Sequence, residues 1–290
     1  MAERPTSFWL AALRKRAAKM YDEKLELDAP VPFRDEVHRR AAVKFFNAAF
    51  RAEESGLRQA HELADEVKSF DPELAEVLAL YGNEEGWHRE LLTEFLQHIG
   101  GEIQPMGRVT RLLYSAYARA ERMETIVLTN LMFETIGSTT YRLTLKNVRE
   151  PAVRKMLTIL TRDESFHVPL NVHFLREVLK RTDVKSRRRL RLIHQLLFVS
   201  LVALPLASRP KARAFDGIGT LTLARAYARE LARLFADEPD LDMEAPRWLC
   251  ALLGLSASEL SRGDGPSVVS AEAAERAVDR ENVVVEALDN

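Results

Sequence analysis

Apolar and small residues recur at helical spacing through four long segments of the chain. The first segment extends from Phe33 to about Ser69, and its stripe contains Ala42, Phe46, Ala49, Leu57, Ala60, Ala64 and Val67. A recurrence every three or four residues is that of one face of an α-helix. Pro30 and Pro32 precede the segment and have no amide hydrogen to donate, so we predict a helix that begins after them.

Capping residues and glycines mark three more helices. The second begins at Asp71-Pro72, an acid at the N-cap followed by proline at the first helical position, and ends before Gly100-Gly101. The third is predicted from about Val109 to Asn147. The fourth begins near Glu150-Pro151, and because Pro169 lies inside its pattern we expect a kink there.

The composition changes after Leu179. A basic run between residues 180 and 191 leads into an apolar stretch, and two further helices are predicted at Thr220–Phe235 and Pro246–Leu255. From Gly263 onward the chain is polar and acidic and lacks aromatic residues, which is typical of disorder. We therefore divide the chain into an N-terminal arm with a short helix (1–32), a helical bundle (33–179), a helical extension (180–262) and a disordered tail (263–290).

Composition and charge limit the functional classes. The chain has 290 residues, of which 47% are hydrophobic, so it can bury a large core. Its net charge of −1 gives no general attraction to nucleic acid. Cys250 is the only cysteine, and no stretch approaches the ~18 apolar residues of a membrane-spanning helix. We therefore expect a soluble, cytoplasmic protein.

The candidate chemistry lies in two Glu-x-x-His motifs, Glu85 with His88 and Glu164 with His167. Residues three apart share a helix face, so each pair can hold a metal ion from one side. One such motif alone is more often a solvent-facing Glu with a nearby His. Here each motif follows, at about one helix length, a carboxylate inside an apolar stripe; these carboxylates are Glu53 and Glu134.

The first of these carboxylates has a competitor in the next position. Glu53 lies among apolar and small neighbours on its helix face, where a carboxylate has to be neutralised or bind a cation. Glu54 shares its face with Arg51 and Arg58 and can remain in water. We assign Glu53 to the metal site and keep Glu54 as the alternative.

The order Glu, Glu-x-x-His, Glu, Glu-x-x-His between about Phe33 and Leu179 resembles that of the ferritin-like superfamily of carboxylate-bridged di-iron proteins. The resemblance implies an all-α fold, a ferritin-like four-helix bundle with additional C-terminal helices. It also implies two iron ions, with manganese as the alternative at one position. One ion would be held by Glu53, Glu85 and His88, and the other by Glu134, Glu164 and His167, with Glu85 and Glu164 bridging.

Three further residues are candidates for supporting roles. An imidazole that binds a metal usually donates its other N–H to a carboxylate or carbonyl. From the geometry across the bundle we assign Asp163 to His88 and Glu84 to His167, with a surface position as the alternative for Glu84. Ser138 lies four residues after Glu134, where related monooxygenases carry a hydroxyl, so it is the candidate catalytic residue; simple packing is its alternative role.

Carboxylate oxygens with one imidazole per metal suit iron and leave positions open for O2. We therefore predict a non-haem di-iron oxidase or oxygenase that acts on a small, apolar organic substrate with an external electron donor. The alternative is a ferroxidase or peroxide scavenger.

Two branches of the superfamily fit the sequence less well. Leu160 stands where arylamine N-oxygenases have their third histidine, and one cysteine cannot supply the rubredoxin module of rubrerythrins. We also expect a homodimer, no nucleic-acid partner, and a carrier protein as a candidate partner of the basic run.

Overall fold

The computed structural model describes residues 4–25, 27–105, 107, 111–112, 122–207 and 218–260. All regular structure in these residues is helical, as predicted from the sequence. The α-helices are α1 (Thr6–Ala17), α2 (Glu36–Val67), α3 (Pro72–His98), α4 (Met123–Asn147), α5 (Pro151–Lys180), α6 (Val184–Ala207), α7 (Thr220–Asp237), α8 (Arg247–Leu252) and α9 (Ala257–Leu260). A 3₁₀ turn lies at Met20–Asp22 and another at Pro239–Leu241.

Helices α2 and α3 form one antiparallel hairpin, and α4 and α5 form the other. Local sequence explains where the first hairpin turns. The Asp71 carboxylate accepts a hydrogen bond from the Leu74 amide at 3.1 Å, with Pro72 in the first position of α3. At the other end Gly100 has φ +68°, and the Gly101 amide donates to the Leu96 carbonyl at 2.8 Å. Both predicted boundaries of this helix are therefore confirmed.

Two apolar clusters fill the bundle on either side of a polar layer. One contains the N-terminal half of α2 with Phe46, the C-terminal half of α3 with Phe95, and facing parts of α4 and α5. The other contains the opposite halves of the same four helices and continues into α1, α6 and α7. The polar layer comes from the middle of each helix, so the four helices bring their central residues together between two dry regions.

The helices outside the bundle cover one of these clusters. Helix α1 buries Trp9, Leu10 and Leu13 against it, and α6 and α7 add Leu197, Phe198 and other side chains. The predicted start of the third long helix, near Val109, and the tail from 263 to 290 lie outside the described residues. Helix α5, the fourth bundle helix, runs through Pro169 without a break.

Helix α6 corrects one expectation. Within the described part of the chain it is the one helix that is long and apolar enough to cross a membrane, judged by length and composition over Val184–Leu206. The expectation that no stretch comes near this length was therefore wrong. However, Leu190, Phe198 and Leu201 are buried inside the protein, and a core helix passes the same test. The apolar character of α6 is explained at least in part by packing.

Candidate metal centre

Each bundle helix contributes residues to the polar layer. Five of the six residues predicted as ligands are buried, and the sixth, Glu134, is partly buried. They come from the four bundle helices: Glu53 from α2, Glu85 and His88 from α3, Glu134 from α4, and Glu164 and His167 from α5. Helical phase puts each of them on the inner face, where water cannot solvate a charge, so the layer requires cations or shared protons.

The two histidines present the same ring nitrogen to the interior. His88 Nδ1 lies 3.4 Å from Glu53 Oε2. His167 Nδ1 lies 3.1 Å from Glu85 Oε1 and 3.7 Å from Glu164 Oε2. The ring centroids are 5.6 Å apart. Both imidazoles thus direct one nitrogen at the carboxylate cluster and leave the other for a partner behind it.

The partners behind the histidines are the acids that precede each motif. His88 Nε2 lies 3.1 Å from Asp163 Oδ2, and His167 Nε2 lies 3.0 Å from Glu84 Oε2. Both pairs cross between the two hairpins, as predicted, and both acids are buried, which excludes a surface position for Glu84. An Nε2–H that donates to a carboxylate makes Nδ1, on the inner side, the nitrogen that gives up its proton when a metal binds.

Buried arginines neutralise these two acids. Arg16 of α1 donates through Nε to Glu84 at 2.9 Å and through Nη2 to Asp163 at 2.9 Å. Arg162 donates through Nε to Asp163 at 2.8 Å and also reaches Glu23. Burial opposes ionisation, but the guanidinium groups lower the pKa of Glu84 to about 2 and hold that of Asp163 well below its usual range. Both acids therefore remain ionised hydrogen-bond acceptors.

Glu53 and Glu134, the two predicted ligands that do not bridge the metals and are called the terminal glutamates below, each accept a hydrogen bond from a tyrosine of the opposite hairpin. Tyr81 donates to Glu134 Oε1 at 2.7 Å, and Tyr141 donates to Glu53 Oε1 at 3.3 Å. Glu54, the alternative to Glu53, points away from the layer and pairs with Arg51. The structure thus brings Glu53, not Glu54, to the cluster.

Three buried atoms of the layer lack a hydrogen bond of acceptable geometry: Glu85 Oε1, Glu164 Oε2 and His167 Nδ1. They are also members of three groups whose ligand atoms lie within 4.8 Å of one another: Glu85, His88 and His167; Glu53, His88 and Glu164; and Glu134, Glu164 and His167. The last group is one of the two predicted ligand sets, whereas the other predicted set is divided between the first two groups. Unsatisfied oxygen and nitrogen ligands that converge in this way fit metal ions of the iron type.

Electrostatics within the layer favour a cation. Burial, together with Glu134 and Glu53, raises the pKa of Glu85 well above its ordinary value, and burial with Glu134 does the same for Glu164. For His167 burial opposes the charged form, but Glu164 and Glu84 outweigh it and raise the pKa to about 10. Without a metal the cluster therefore retains protons, and metal binding has to release them.

A cavity of about 40 Å³ opens onto the carboxylates between α2 and α4. Its lining includes Glu53, Glu85, Glu134 and Glu164 together with small and apolar residues such as Ala52, Phe133 and Gly137. On one wall, a Cβ built at Gly56 would lie 2.9 Å from Glu85 Oε2. Glycine is therefore required there for the close approach of the Glu85 carboxylate.

Ser138 occupies a different environment from the one expected of a catalytic residue. It is buried in α4 one turn beyond Glu134. The described residues that line the cavity include its neighbour Gly137 but not Ser138. Its catalytic role therefore stays a prediction, without added support from the geometry.

Comparison with known proteins supports the architecture. Residues 44–170 match the family model described as Rubrerythrin. The match is consistent with a ferritin-like, carboxylate-bridged di-iron protein. This match covers the four-helix region and all six candidate ligands. Neither a curated protein nor a solved structure gives a significant match to the chain. The helical bundle fits a ferritin-like fold, and its buried Glu and His clusters are able to hold metal.

Three residues of the candidate site were missed in the sequence. Tyr81 is four residues before Glu85, on the same helix face, so its position carried a signal that could have been used. Arg162 is adjacent to Asp163, but an arginine beside an acid is usually at the surface. Arg16 gave no such signal, because it lies in a basic segment far from both motifs.

Proposed function

We propose that this protein is a non-haem di-iron oxidase or oxygenase that uses O2 to oxidise a small, apolar organic molecule. The observation that carries the proposal is the cavity, which opens directly onto four carboxylates. The rest of its lining exposes mostly apolar surface, although Ser55, Gln59, Thr129, Asn130 and Tyr141 add polar groups. When bound, two ferrous ions supply electrons for the reduction of O2. The proposed ligands are the six buried or partly buried Glu and His residues described above.

The size of the cavity restricts the substrate. Pockets for larger ligands have volumes of roughly 300–1,000 Å³, whereas this one has about 40 Å³. The proposed substrate is therefore compact, and its entry requires α2 and α4 to separate locally. Phe133 and Gly137 lie on the wall formed by α4, so they are the residues expected to set its shape.

The protein's own residues have defined tasks in such a reaction. Asp163 and Glu84 hold His88 and His167 in the metal-binding tautomer. Tyr81 and Tyr141 donate to the terminal glutamates, which orients those carboxylates and places a phenolic proton beside each one. The apolar clusters on both sides exclude bulk water, which strengthens these interactions.

A second candidate function is oxidation of Fe(II) itself, or reduction of peroxide. The same cavity favours it, because 40 Å³ accommodates a molecule the size of water or peroxide without any movement of the helices. In this case iron or peroxide is the substrate, and the carboxylates at the cavity are its route to the site.

An anaerobic iron titration followed by O2 separates the two functions. An oxygenase is expected to stop near two Fe(II) oxidised per chain and to consume more O2 when reductant and a suitable substrate are added. Sustained oxidation of many Fe(II) per chain would contradict the oxygenase function.

The variant Phe133→Ala provides a second test of the oxygenase function. It widens the cavity, so it should change which organic molecules increase O2 uptake while iron binding is retained. An unchanged range of molecules would count against the oxygenase.

We further propose an external electron donor and a homodimer in the cytoplasm. The proposed oxidation of an organic substrate by O2 consumes electrons, and a separate reductant is the proposed source of them. Size-exclusion chromatography with light scattering measures the oligomeric state, and a monomer at micromolar concentration would contradict the dimer.

A further inference from the structure

One charged residue from outside the bundle lies directly behind the candidate metal site. Arg16 is in the last turn of α1, and its side chain has no exposed surface. Its guanidinium donates to Glu84, which belongs to the first hairpin, and to Asp163, which belongs to the second. Each of these acids in turn accepts from the imidazole of the opposite hairpin, His167 and His88 respectively.

We propose that Arg16 is a positioning residue for the metal site: by joining Glu84 to Asp163 its guanidinium holds the acceptors that orient both histidines. The inference rests on the metal binding in the proposed function but assigns a role that the ligand set itself does not require. A guanidinium has fixed, planar donors, so it holds two carboxylates at a defined separation.

Helix α1 is built to hold this guanidinium in place. Trp9 packs edge-on against Phe166 with ring centroids 5.6 Å apart, and the Arg16 guanidinium lies 4.4 Å from the centroid of the same Phe166 ring. Thr6 Oγ1 lies 3.1 Å from His173 Nε2, and Arg14 pairs with Glu76 at 2.6 Å. The helix is therefore attached to both α3 and α5, the two helices that carry the histidines.

The contacts predict that the two half-sites depend on Arg16 to different degrees. Asp163 also accepts two hydrogen bonds from Arg162, at 2.8 and 3.0 Å. Asp163 therefore keeps a guanidinium partner after loss of Arg16. Because Asp163 stays in place, His88 should keep its orientation. Glu84 takes its largest favourable charge interaction from Arg16. Loss of Arg16 should therefore loosen His167 more than His88.

The test compares Arg16→Met with a variant that weakens α1 without touching the guanidinium. Leu13 is fully buried in the same helix, so Leu13→Ala reduces the docking energy of α1 and serves as the control. Arg16→Lys retains the charge but not the planar pair of donors. Each protein is titrated anaerobically with Co(II), whose visible bands report the coordination of each ion, and thermal unfolding of the metal-free forms is recorded.

The expected result is that Arg16→Met weakens one of the two Co(II) sites at least tenfold and the other much less, with altered bands for the weakened site. Leu13→Ala should lose as much or more thermal stability yet keep both affinities within about threefold of wild type, and Arg16→Lys should lie between. Histidine-selective ¹H–¹⁵N spectra of the Zn(II)-loaded proteins should show a changed Nε2–H signal for His167 in Arg16→Met.

The opposite result would be equal losses of affinity in Arg16→Met and Leu13→Ala, in proportion to their losses of stability, with an unchanged His167 signal. That would make Arg16 a residue of stability only. If Arg16→Met does not fold, Arg16→Lys against Leu13→Ala makes the same comparison. A wild-type protein that binds no Co(II) would overturn the proposed function itself, so the two failures are distinguishable.

Discussion

At the scale of single residues, the phase of α2 decides which carboxylate reaches the candidate metal site. Glu53 is buried and lies 3.4 Å from His88, whereas Glu54 pairs with Arg51 at the edge of the helix. Glu53→Ala should therefore reduce bound iron from about two ions per chain to one or fewer. Glu54→Ala is the matched control and should leave the amount of iron unchanged, because the partly buried Glu54 pairs with Arg51 and not with the carboxylate cluster. Elemental analysis after anaerobic loading measures both, and loss of metal in the Glu54 variant would contradict the assignment.

Gly56 offers a test of the site that changes no ligand. A methyl group at Gly56 would come within 2.9 Å of Glu85 Oε2, so Gly56→Ala should displace this carboxylate and weaken metal binding. At Gly86, in α3, the nearest atom to an added Cβ is Leu57 Cδ1 at 3.5 Å, an ordinary contact. Gly86→Ala should retain both metals and stabilise the helix by about 0.5–1 kcal/mol. Metal titrations in which the two variants behave alike would count against a role for the close approach at Gly56.

Single residues also show where sequence reasoning succeeds. The pairing of Asp163 with His88 followed from motif order and helical geometry, because both residues have fixed places on neighbouring helices. Arg16 could not be found in this way, since its contacts with Glu84 and Asp163 depend on how a separate helix docks on the bundle. Contacts between distant segments are set by packing, which periodicity does not encode.

At the scale of elements, α6 carries a buried histidine whose ring packs against the aromatic rings of Phe198 and Phe235. His194 has no exposed surface, and its ring lies edge-on to Phe235 with centroids 4.4 Å apart. Burial lowers the pKa of His194 to about 4 from 6.5. Between these values the unfolded chain binds a proton that the folded chain does not, so stability falls as the pH is lowered from 6.5 to 4.

This shift predicts a loss of about 3 kcal/mol from His194 over that interval, from the relation of 1.36 kcal/mol per pKa unit. His194→Leu removes the titrating group and keeps an apolar side chain in the core. The drop in unfolding free energy between pH 7 and pH 4 should thus be smaller in the variant than in wild type by up to this amount. Urea denaturation of both proteins at several pH values measures it, and parallel pH profiles would show that His194 is not buried as described.

Helix boundaries were predictable where capping residues define them. Asp71-Pro72 and Gly100-Gly101 mark the ends of α3 by side-chain and backbone chemistry that the sequence displays directly. The length and apolar character of α6 were underestimated from the sequence. Arginines near its start interrupt the apolar pattern, but the helix continues through them. The partition of a helix between exposed and buried faces requires knowledge of its neighbours.

At the scale of the whole molecule, the candidate metal site joins the two hairpins through a layer of buried carboxylates that is unfavourable without cations. Several carboxylates are buried together there, and burial raises the pKa of Glu85 and Glu164. Ligands that bind only the folded state stabilise it, by about 2.7 kcal/mol at a concentration 100 times Kd. Removal of metal with a chelator should therefore lower the melting temperature of wild type by several degrees, whereas Glu53→Ala should show little difference. Differential scanning calorimetry measures both, and equal curves for wild type with and without metal would contradict a metal-linked bundle.

The most direct test of the account is the metal content of the purified chain after anaerobic loading with Fe(II) and removal of unbound iron. The account predicts about two ions per chain in wild type, with a change of absorption when the diferrous protein meets air, and no comparable signal from Glu53→Ala. A wild-type protein that retains no more iron than Glu53→Ala, and whose absorption does not respond to O2, would contradict it.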